Sequence, residues 1–160
     1  MRLTRAADYA IRCVLYLARL GQGVVISRQE VAQQTDVPAH FLAKIAQELA
    51  RAGLIEIRQG AKGGFVLSKD PAAISLLEVV EIMIGEIQLN DCIGRPSGCK
   101  ASYHCAVHRV WLDARNQLRR TLRQVNFEQL SADTCLPAYT DVLLDAEGLE
   151  TTTSAPAKWQ

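Results

Sequence analysis

Three of the five cysteines in this 160-residue chain lie close together, in the stretch DCIGRPSGCKASYHCAVHRVW. Cys92, Cys99 and Cys105 have the spacing C-x6-C-x5-C, and His108 follows three residues after the last of them. The glycines and the proline between them make a loop that can wrap, so the three thiolates can converge on one point. Thiolate and imidazole are ligands of zinc and of iron–sulfur clusters, so the stretch predicts a metal-binding loop.

The spacing of the cysteines favours one of these two metals. Structural zinc sites usually begin with two cysteines about two to four residues apart, which fits the wider intervals here poorly. An iron–sulfur cluster is larger and accepts ligands that are further apart in the chain. The alternatives are zinc, a thiol–disulfide switch without metal, and cysteines without a common role. His108 would share a helix face with Cys105, which makes His104 the weaker candidate for a fourth ligand.

The composition indicates a globular protein, with 49% apolar and 22% charged residues. No run of about 18 apolar residues is present, so we expect no membrane span. Arg12 and Arg19 interrupt the apolar N-terminal stretch, which is unlike a signal peptide. We therefore expect a cytoplasmic protein with reduced thiols. Cys13 is expected to be a buried core residue, and Cys135 is assigned no role.

The charge is unevenly distributed along the chain, although the net charge is only +1. Residues 1–69 carry a net charge of +5 and residues 70–160 a net charge of −4. A basic N-terminal half is typical of a segment that contacts a polyanion such as nucleic acid.

Helix signals in the first half of the chain predict a helix-turn-helix. A helix over residues 2–20 is followed by a capping box, Ser27 with Glu30, which starts a short helix that ends near Thr35. Pro38 starts the next helix, and Gly53 ends it. Four of its side chains are expected to be buried, namely Phe41, Leu42, Ile45 and Leu49.

A β-hairpin is predicted directly after these helices, with strands over residues 54–58 and 65–67 and a glycine-rich turn between them. This order is that of a winged helix-turn-helix, a mainly α fold with a small β-hairpin wing. Arg58 and Lys62 place positive charge in the wing beside Gly60, so we expect the wing to bind double-stranded DNA.

A long amphipathic helix is predicted after the cysteine loop. Its apolar residues recur with helical spacing, at Val107, Trp111, Ala114, Leu118, Leu122 and Val125. Such a stripe is buried most simply against a second copy, so we expect a homodimer that reads a palindromic promoter operator. The chain then divides into a DNA-binding domain (1–84), a cluster-binding loop (85–106), a dimerisation helix with a C-terminal segment (107–145) and a disordered tail (146–160).

Several short motifs give the chain a resemblance to a known family. MRLT at the N-terminus, YA at 9–10, AGL at 52–54, GAKGGFVL in the wing and the three-cysteine loop together resemble the Rrf2 family of winged-helix regulators. The resemblance covers roughly residues 1–135 and implies a homodimer with an iron–sulfur cluster on Cys92, Cys99 and Cys105. It also implies DNA reading by the wing and by the second helix of the helix-turn-helix.

The resemblance offers two candidates for the fourth ligand. In IscR-like members a histidine after the third cysteine completes a 2Fe–2S site, and His108 matches it. In NsrR-like members an aspartate from the first helix of the other subunit completes a 4Fe–4S site, and Asp8 matches it. Asp8 has a simpler interpretation too, because an acidic residue in the first turn stabilises a helix. The cluster type is open at this point.

The resemblance also implies which residues contact DNA. His40, Ala43 and Lys44 occupy the recognition-helix positions, and Gln59 stands where many members have an arginine before the first glycine of the wing. Arg28 is assigned to the same DNA-contacting set. The function predicted is a transcriptional regulator, expected to be a repressor and not an enzyme, that senses iron–sulfur status, nitric oxide or redox. The alternatives are a metal-free thiol switch and an iron–sulfur electron carrier or enzyme.

Overall fold

The computed structural model describes residues 4–99 and 104–132. It is mainly helical with one small antiparallel sheet, which confirms the predicted fold class. The helices are α1 (Arg5–Leu20), α2 (Arg28–Thr35), α3 (Ala39–Arg51), α4 (Leu76–Ile84), α5 (Asp91–Gly94), α6 (Ala106–Gln124) and α7 (Phe127–Ala132). The strands are β1 (Val25–Ile26), β2 (Ile55–Arg58) and β3 (Gly64–Leu67).

Side-chain caps start the helices where the sequence signals them. The hydroxyl of Ser27 accepts a hydrogen bond from the N–H of Glu30 at 3.2 Å, and the hydroxyl of Ser75 accepts one from Glu78 at 3.1 Å. Thr4 caps α1 in the same way. These bonds satisfy N–H groups that have no partner inside a helix. The predicted start of α2 at Ser27 is confirmed, and Ser75 starts α4 in the same way.

The turn between α2 and α3 fixes the geometry of the helix-turn-helix. Asp36 adopts a left-handed conformation with φ of 54°, and Val37 turns into the core with 2% of its surface exposed. Pro38 precedes the first helical residue of α3. At the other end Gly53 has φ of 75°, the left-handed conformation that was expected there.

The core lies around α1, which packs against α2, α3, α4 and α7. Leu42, Ile45 and Leu49 of α3 are buried as predicted. The prediction for Phe41 is wrong, because 39% of its surface is exposed. Position 41 lies about 100° around the helix from position 42, so it leaves the buried face. Its ring packs instead beside the ring of Tyr9, with centroids 5.8 Å apart.

The sheet contains one strand more than the predicted hairpin. Its order is β1–β3–β2, and both pairings are antiparallel. The additional strand β1 is only two residues long, which is too short to show the alternation of a strand. It lies so close to β3 that a Cβ atom at Gly64 would be 2.1 Å from the carbonyl oxygen of Ile26. Gly64 is therefore required by the approach of two strands.

The long helix α6 is held by its own chain over its second half. Leu118 and Leu122 pack against a buried group formed by Leu77, Val80 and Ile87. The expectation that the whole stripe awaits a second copy is therefore corrected: its C-terminal half is covered by α4. Its N-terminal half is open, and Val107 is 58% exposed.

The chain then returns from α6 to the N-terminal half of the fold. The N–H of Leu76 donates to the carbonyl of Val125 at 2.9 Å, and the N–H of Phe127 donates to the carbonyl of Ile74 at 3.0 Å. Phe127 is fully buried in the main core. The C-terminal end of α6 is thus fixed to the first turn of α4.

Some sequence expectations concern residues outside the described ranges. These are the assignment of no role to Cys135 and the disordered tail over residues 146–160; the division into domains stays a prediction. Over residues 4–99 and 104–132, no helix has both the length and the apolar character that crossing a membrane requires.

We predict that Gly64→Ala destabilises the fold by about 2 kcal/mol or more, because the added methyl group has no space against backbone atoms. Denaturant unfolding measures the change. Gly98→Ala is the matched control, since its Cβ would meet only the Cβ of Arg95, at 3.9 Å. Equal stability of Gly64→Ala and wild type would show that β1 does not lie against β3 as described.

Candidate functional site

A groove separates α3 from the wing, the hairpin made by β2, β3 and the turn that joins them. Its volume is about 680 Å³. Five of the eight residues predicted to contact DNA line it, namely Arg28, Ala43, Arg58, Gln59 and Gly60. Helix α2, helix α3 and the wing therefore contribute to one surface, as a winged helix-turn-helix requires.

The charged side chains of the groove have neighbours that hold them in place. The guanidinium of Arg28 lies over the ring of Phe65, 6.0 Å from the ring centroid. The guanidinium of Arg58 pairs with both carboxylate oxygens of Glu56 at 3.3 Å. The pair is exposed, so it is screened and weak, and Arg58 remains available to a phosphate.

Three predicted DNA-contacting residues lie outside this groove. His40 and Lys44 are exposed on the N-terminal half of α3, and Lys62 is exposed in the turn of the wing. The ring of His40 packs beside that of Phe41 in a tilted arrangement, with centroids 4.4 Å apart and an interplanar angle of 44°. Gln47 lines the groove and was not predicted. It stands one helical turn after Ala43, and this spacing is the signal that would have found it.

A second cavity lies in the cysteine loop and has a volume of about 840 Å³. Cys92 and Cys99 both line it, although six residues separate them in the chain. Cys92 stands in the first turn of α5, which the amide oxygen of Asn90 caps at 3.0 Å. The structure thus brings two of the three predicted cysteine ligands to one cavity.

The third cysteine stands at the start of α6. Cys105 is the residue before the first helical turn and is half-buried. His108 follows within that turn and is also half-buried. Its Nδ1 atom is buried, and among the residues that the structure describes it has no hydrogen-bond partner. A buried imidazole nitrogen without a hydrogen-bond partner is suited to coordinate a metal ion, whereas His104 is exposed.

Asp8, the other candidate for the fourth ligand, lies on the first turn of α1. Its carboxylate pairs with the guanidinium of Arg12 at 2.8 Å, and about half of each side chain is exposed. Arg12 also lies 5.8 Å from the centroid of the Tyr9 ring. In the single chain, therefore, Asp8 already has a partner, and it is absent from the residues that line the cysteine cavity.

The donor atoms of the loop suit an iron–sulfur cluster, since three thiols and one unpartnered imidazole match its preferred ligands. Residues 100–103, between Cys99 and Cys105, lie outside the described ranges. Among the residues that are described, no three His, Cys, Asp or Glu side chains are close enough to hold a metal ion together. The loop therefore fits an iron–sulfur cluster in the chemistry of its donor atoms and in the cavity that Cys92 and Cys99 share.

Cys13 differs from the loop cysteines in its environment. It lies on the buried face of α1, fully enclosed in the core, and burial raises the pKa of its thiol to about 12. A thiol with this pKa stays protonated at neutral pH and is a poor nucleophile. The expectation that Cys13 is a core residue is confirmed.

The comparisons with known proteins identify the family. The family model Rrf2, described as iron-dependent transcriptional regulator, matches residues 3–133. The chain belongs to the Rrf2 family. Its HTH-type relative IscR from Escherichia coli is 24% identical over 156 residues, which cover 98% of this chain and 91% of the relative.

Two solved structures are similar to this fold. CymR, the global cysteine regulator of B. subtilis, has a TM-score of 0.67 at 22% identity, and the match covers 84% of this chain and 99% of CymR. IscR of T. potens has a TM-score of 0.63 at 17% identity, with 98% and 94% covered. The family and its named members are transcriptional regulators, so the enzyme alternative is set aside.

We predict that Cys13 resists alkylation by iodoacetamide in the folded protein at pH 8. Its raised pKa leaves almost no thiolate there, because the pH lies well below about 12. Mass spectrometry of the peptides measures the modification. The same chain unfolded in guanidinium is the control and should be alkylated at Cys13. Rapid labelling in the folded state would contradict the burial of this residue.

Proposed function

We propose that this Rrf2-family regulator is a homodimeric, cytoplasmic repressor whose binding to a palindromic promoter operator is controlled by an iron–sulfur cluster. The ligands proposed are Cys92, Cys99 and Cys105, with either His108 or Asp8 from the partner subunit as the fourth. One observation carries the proposal: two cysteines share a cavity, and the third begins a helix whose far end is fixed to the DNA-binding half.

DNA reading is assigned to the groove and to the exposed end of α3. Arg28, Arg58, Lys44 and Lys62 supply positive charge for phosphates, which sets most of the affinity. Gln47 and Gln59 line the groove and carry amides, which are suited to base edges in a DNA groove. The side chains are thus divided between groups that position the protein and groups that read sequence.

The open end of α6 supports the proposed homodimer. Val107, Val110 and Trp111 form an apolar patch beside the cysteine loop, and they are 58%, 63% and 39% exposed. Two such patches packed together would bury these side chains and would place two DNA-reading heads in one particle. If Asp8 of the partner subunit is the fourth ligand, the dimer contact must also bring α1 of one subunit to the cysteine loop of the other.

The proposed ligands connect the cysteine loop to α6, and through α6 the state of the cluster would affect DNA binding. When bound, an iron–sulfur cluster would join the residues that ligate it, and it would react with oxidants and with nitric oxide. Cys92 belongs to α5, whereas Cys105 and His108 belong to α6, so holding these ligands together fixes α6 relative to the loop. Because α6 packs on α4, and α4 packs on α3, the position of α6 would influence the position of α3, the helix proposed to read DNA.

His108 is favoured over Asp8 as the fourth ligand by its surroundings. Its Nδ1 is buried and unpartnered within the described structure, whereas Asp8 would first have to leave Arg12. A histidine ligand raises the potential of a cluster relative to an all-cysteine site. The signals proposed are iron–sulfur status, nitric oxide and redox.

A metal-free thiol switch is the second candidate function. The observation that favours it is that Cys92 and Cys99 line the same cavity, where oxidation could join them. A disulfide requires Cα atoms within about 7 Å of each other, and a loop rich in glycine can adopt that distance. Iron content separates the two functions.

We predict that Lys44→Gln weakens operator binding about fivefold to tenfold at 0.1 M salt and lowers the salt dependence by about one charge. Fluorescence anisotropy on an operator duplex at several salt concentrations measures both effects. Lys69→Gln is the control, because Lys69 follows β3, belongs neither to α3 nor to the turn of the wing, and is paired with Glu78 at 2.8 Å. Equal effects of the two substitutions would contradict a DNA surface centred on α3.

We predict that anaerobically purified protein is coloured and contains iron, and that Cys92→Ser, Cys99→Ser and Cys105→Ser each abolish both. Absorption spectra together with iron and sulfide analysis measure this. Cys13→Ala is the control and should retain the cluster, since Cys13 is a core residue. His108→Ala should speed cluster loss more than Asp8→Ala does.

Two outcomes would overturn the cluster assignment. A colourless, iron-free wild-type protein whose DNA binding still responds to oxidant would establish the thiol switch instead. Unchanged iron content in all three cysteine variants would exclude the loop as the ligand set.

A further inference from the structure

One arginine of α6 joins three parts of the structure. The guanidinium of Arg119 donates a hydrogen bond from Nη2 to Oε2 of Glu81 at 3.0 Å. Its Nε lies 2.9 Å from Oε1 of the same carboxylate, within ion-pair distance but not aligned for a hydrogen bond among the described residues. Its Nη1 donates to the carboxylate of Glu86. Glu81 belongs to α4, and Glu86 begins the cysteine loop directly after Gly85. Arg119 therefore links α6 to α4 and to the start of the loop.

The same acidic residues bind further groups at this junction. Glu81 Oε1 accepts a hydrogen bond from the N–H of Ile87 at 3.1 Å, which fixes the first residues of the loop. Arg115 reaches Glu86 at 3.6 Å. Only 23% of the Arg119 side chain and 21% of that of Glu81 are exposed, so solvent screens this pair less than an open surface pair.

The pairing is directional, which the apolar contacts beside it are not. Leu118 and Leu122 hold α6 against α4 by burial, which is non-directional and fixes the rotation of the helix about its axis only approximately. The guanidinium of Arg119 donates through Nη2 to Glu81 and through Nη1 to Glu86, and two hydrogen bonds to carboxylates at different places give it a defined orientation. Arg119 is thus the side chain at this contact that can set the rotation of α6.

That rotation determines where His108 points. On the same helix, Arg115 lies seven residues after His108, and Arg119 lies eleven residues after it. At about 100° per residue, each arginine side chain therefore leaves the helix within about 20° of the direction of His108, one on either side. The face of α6 that meets Glu81 and Glu86 is therefore the face that carries His108. The buried Nδ1 of His108 and the contact of α6 with α5, which bears Cys92, agree with this direction.

We propose that Arg119 is a positioning residue: by binding Glu81 and Glu86, it holds α6 in the rotation that turns His108 towards the cysteine loop. The inference rests on the proposed function in its use of His108 as a ligand. It adds a residue eleven positions from the ligand, on the path between the loop and α4.

Arg119→Gln in the full-length protein tests the proposal, because glutamine is shorter and uncharged and cannot bridge two carboxylates. Arg119→Lys keeps the charge but not the two-nitrogen contact, and it should restore part of the effect. Arg123→Gln is the matched control, since it removes the same charge from an exposed position of the same helix. Thermal unfolding checks that each variant is folded.

Two readouts are required, and the first does not depend on iron. In the cluster-free protein, the ring ¹H–¹⁵N signals of His108 should shift in Arg119→Gln, and hydrogen exchange at the Ile87 amide should rise about tenfold. In the anaerobic holoprotein, cluster loss to a chelator should be about tenfold faster, as expected when a charge-assisted contact is lost. Nitrogen hyperfine coupling from His108 in the reduced cluster should weaken as well.

Each outcome decides between the proposals. Unchanged His108 ring signals in Arg119→Gln would overturn the positioning role, and so would a cluster that is lost at the wild-type rate. If the ring signals shift as expected but the wild type holds no iron, the positioning role stands and the cluster assignment fails. Equal effects of Arg119→Gln and Arg123→Gln would show that only the lost positive charge matters, and this would overturn the positioning role.

Discussion

The structure depends on the return of the chain from α6 to the first turn of α4. There Phe127 is buried in the core, and backbone hydrogen bonds join Ile74 and Leu76 to residues 125–127. A long helix with exposed ends has no defined direction of its own. Because this one is fixed at its C-terminal end, the cysteine at its start has a definite position relative to the DNA-binding helices.

Two different surfaces lie on either side of α4, to which the end of α6 is fixed. On one side, α3 and the wing enclose a groove with arginines at its rim, a surface suited to a polyanion. On the other, the loop between Gly85 and Cys105 carries cysteines and leads to an apolar patch at the start of α6. Helix α4 lies between them and contacts both α3 and α6. Any signal received at the loop therefore has a short physical path to the groove.

Much of this arrangement follows from local sequence. The capping boxes at Ser27 and Ser75 and the left-handed glycine at 53 locate helix ends, because each depends on neighbours a few residues away. The hairpin follows for the same reason. Strand β1 and the exposure of Phe41 could not be predicted in this way, because they depend on which elements meet in space. The direction of α6 required the contacts of Leu118, Leu122 and Phe127, whose partners lie more than 30 residues earlier in the chain.

The candidate site was predictable in its residue types more than in its geometry. The three cysteines and His108 were evident from spacing, and five of the eight predicted DNA-contacting residues line one groove. Gln47 was missed because a glutamine on a helix has no distinctive signal by itself. Arg119 is one of five arginines in α6, and nothing in the sequence distinguished it from Arg120 or Arg123. Only the positions of two carboxylates on other elements did so.

The fixed end of α6 also makes that helix a lever with unequal arms. At 1.5 Å per residue, Arg119 stands about 9 Å from the pivot at Val125, and His108 stands about 26 Å from it. A movement of about 3 Å at the cysteine end is therefore reduced to about 1 Å where the helix meets α4. The force is increased in the same ratio. A small set of bonds at the tip of the lever can thus act against a well-packed interface near its pivot.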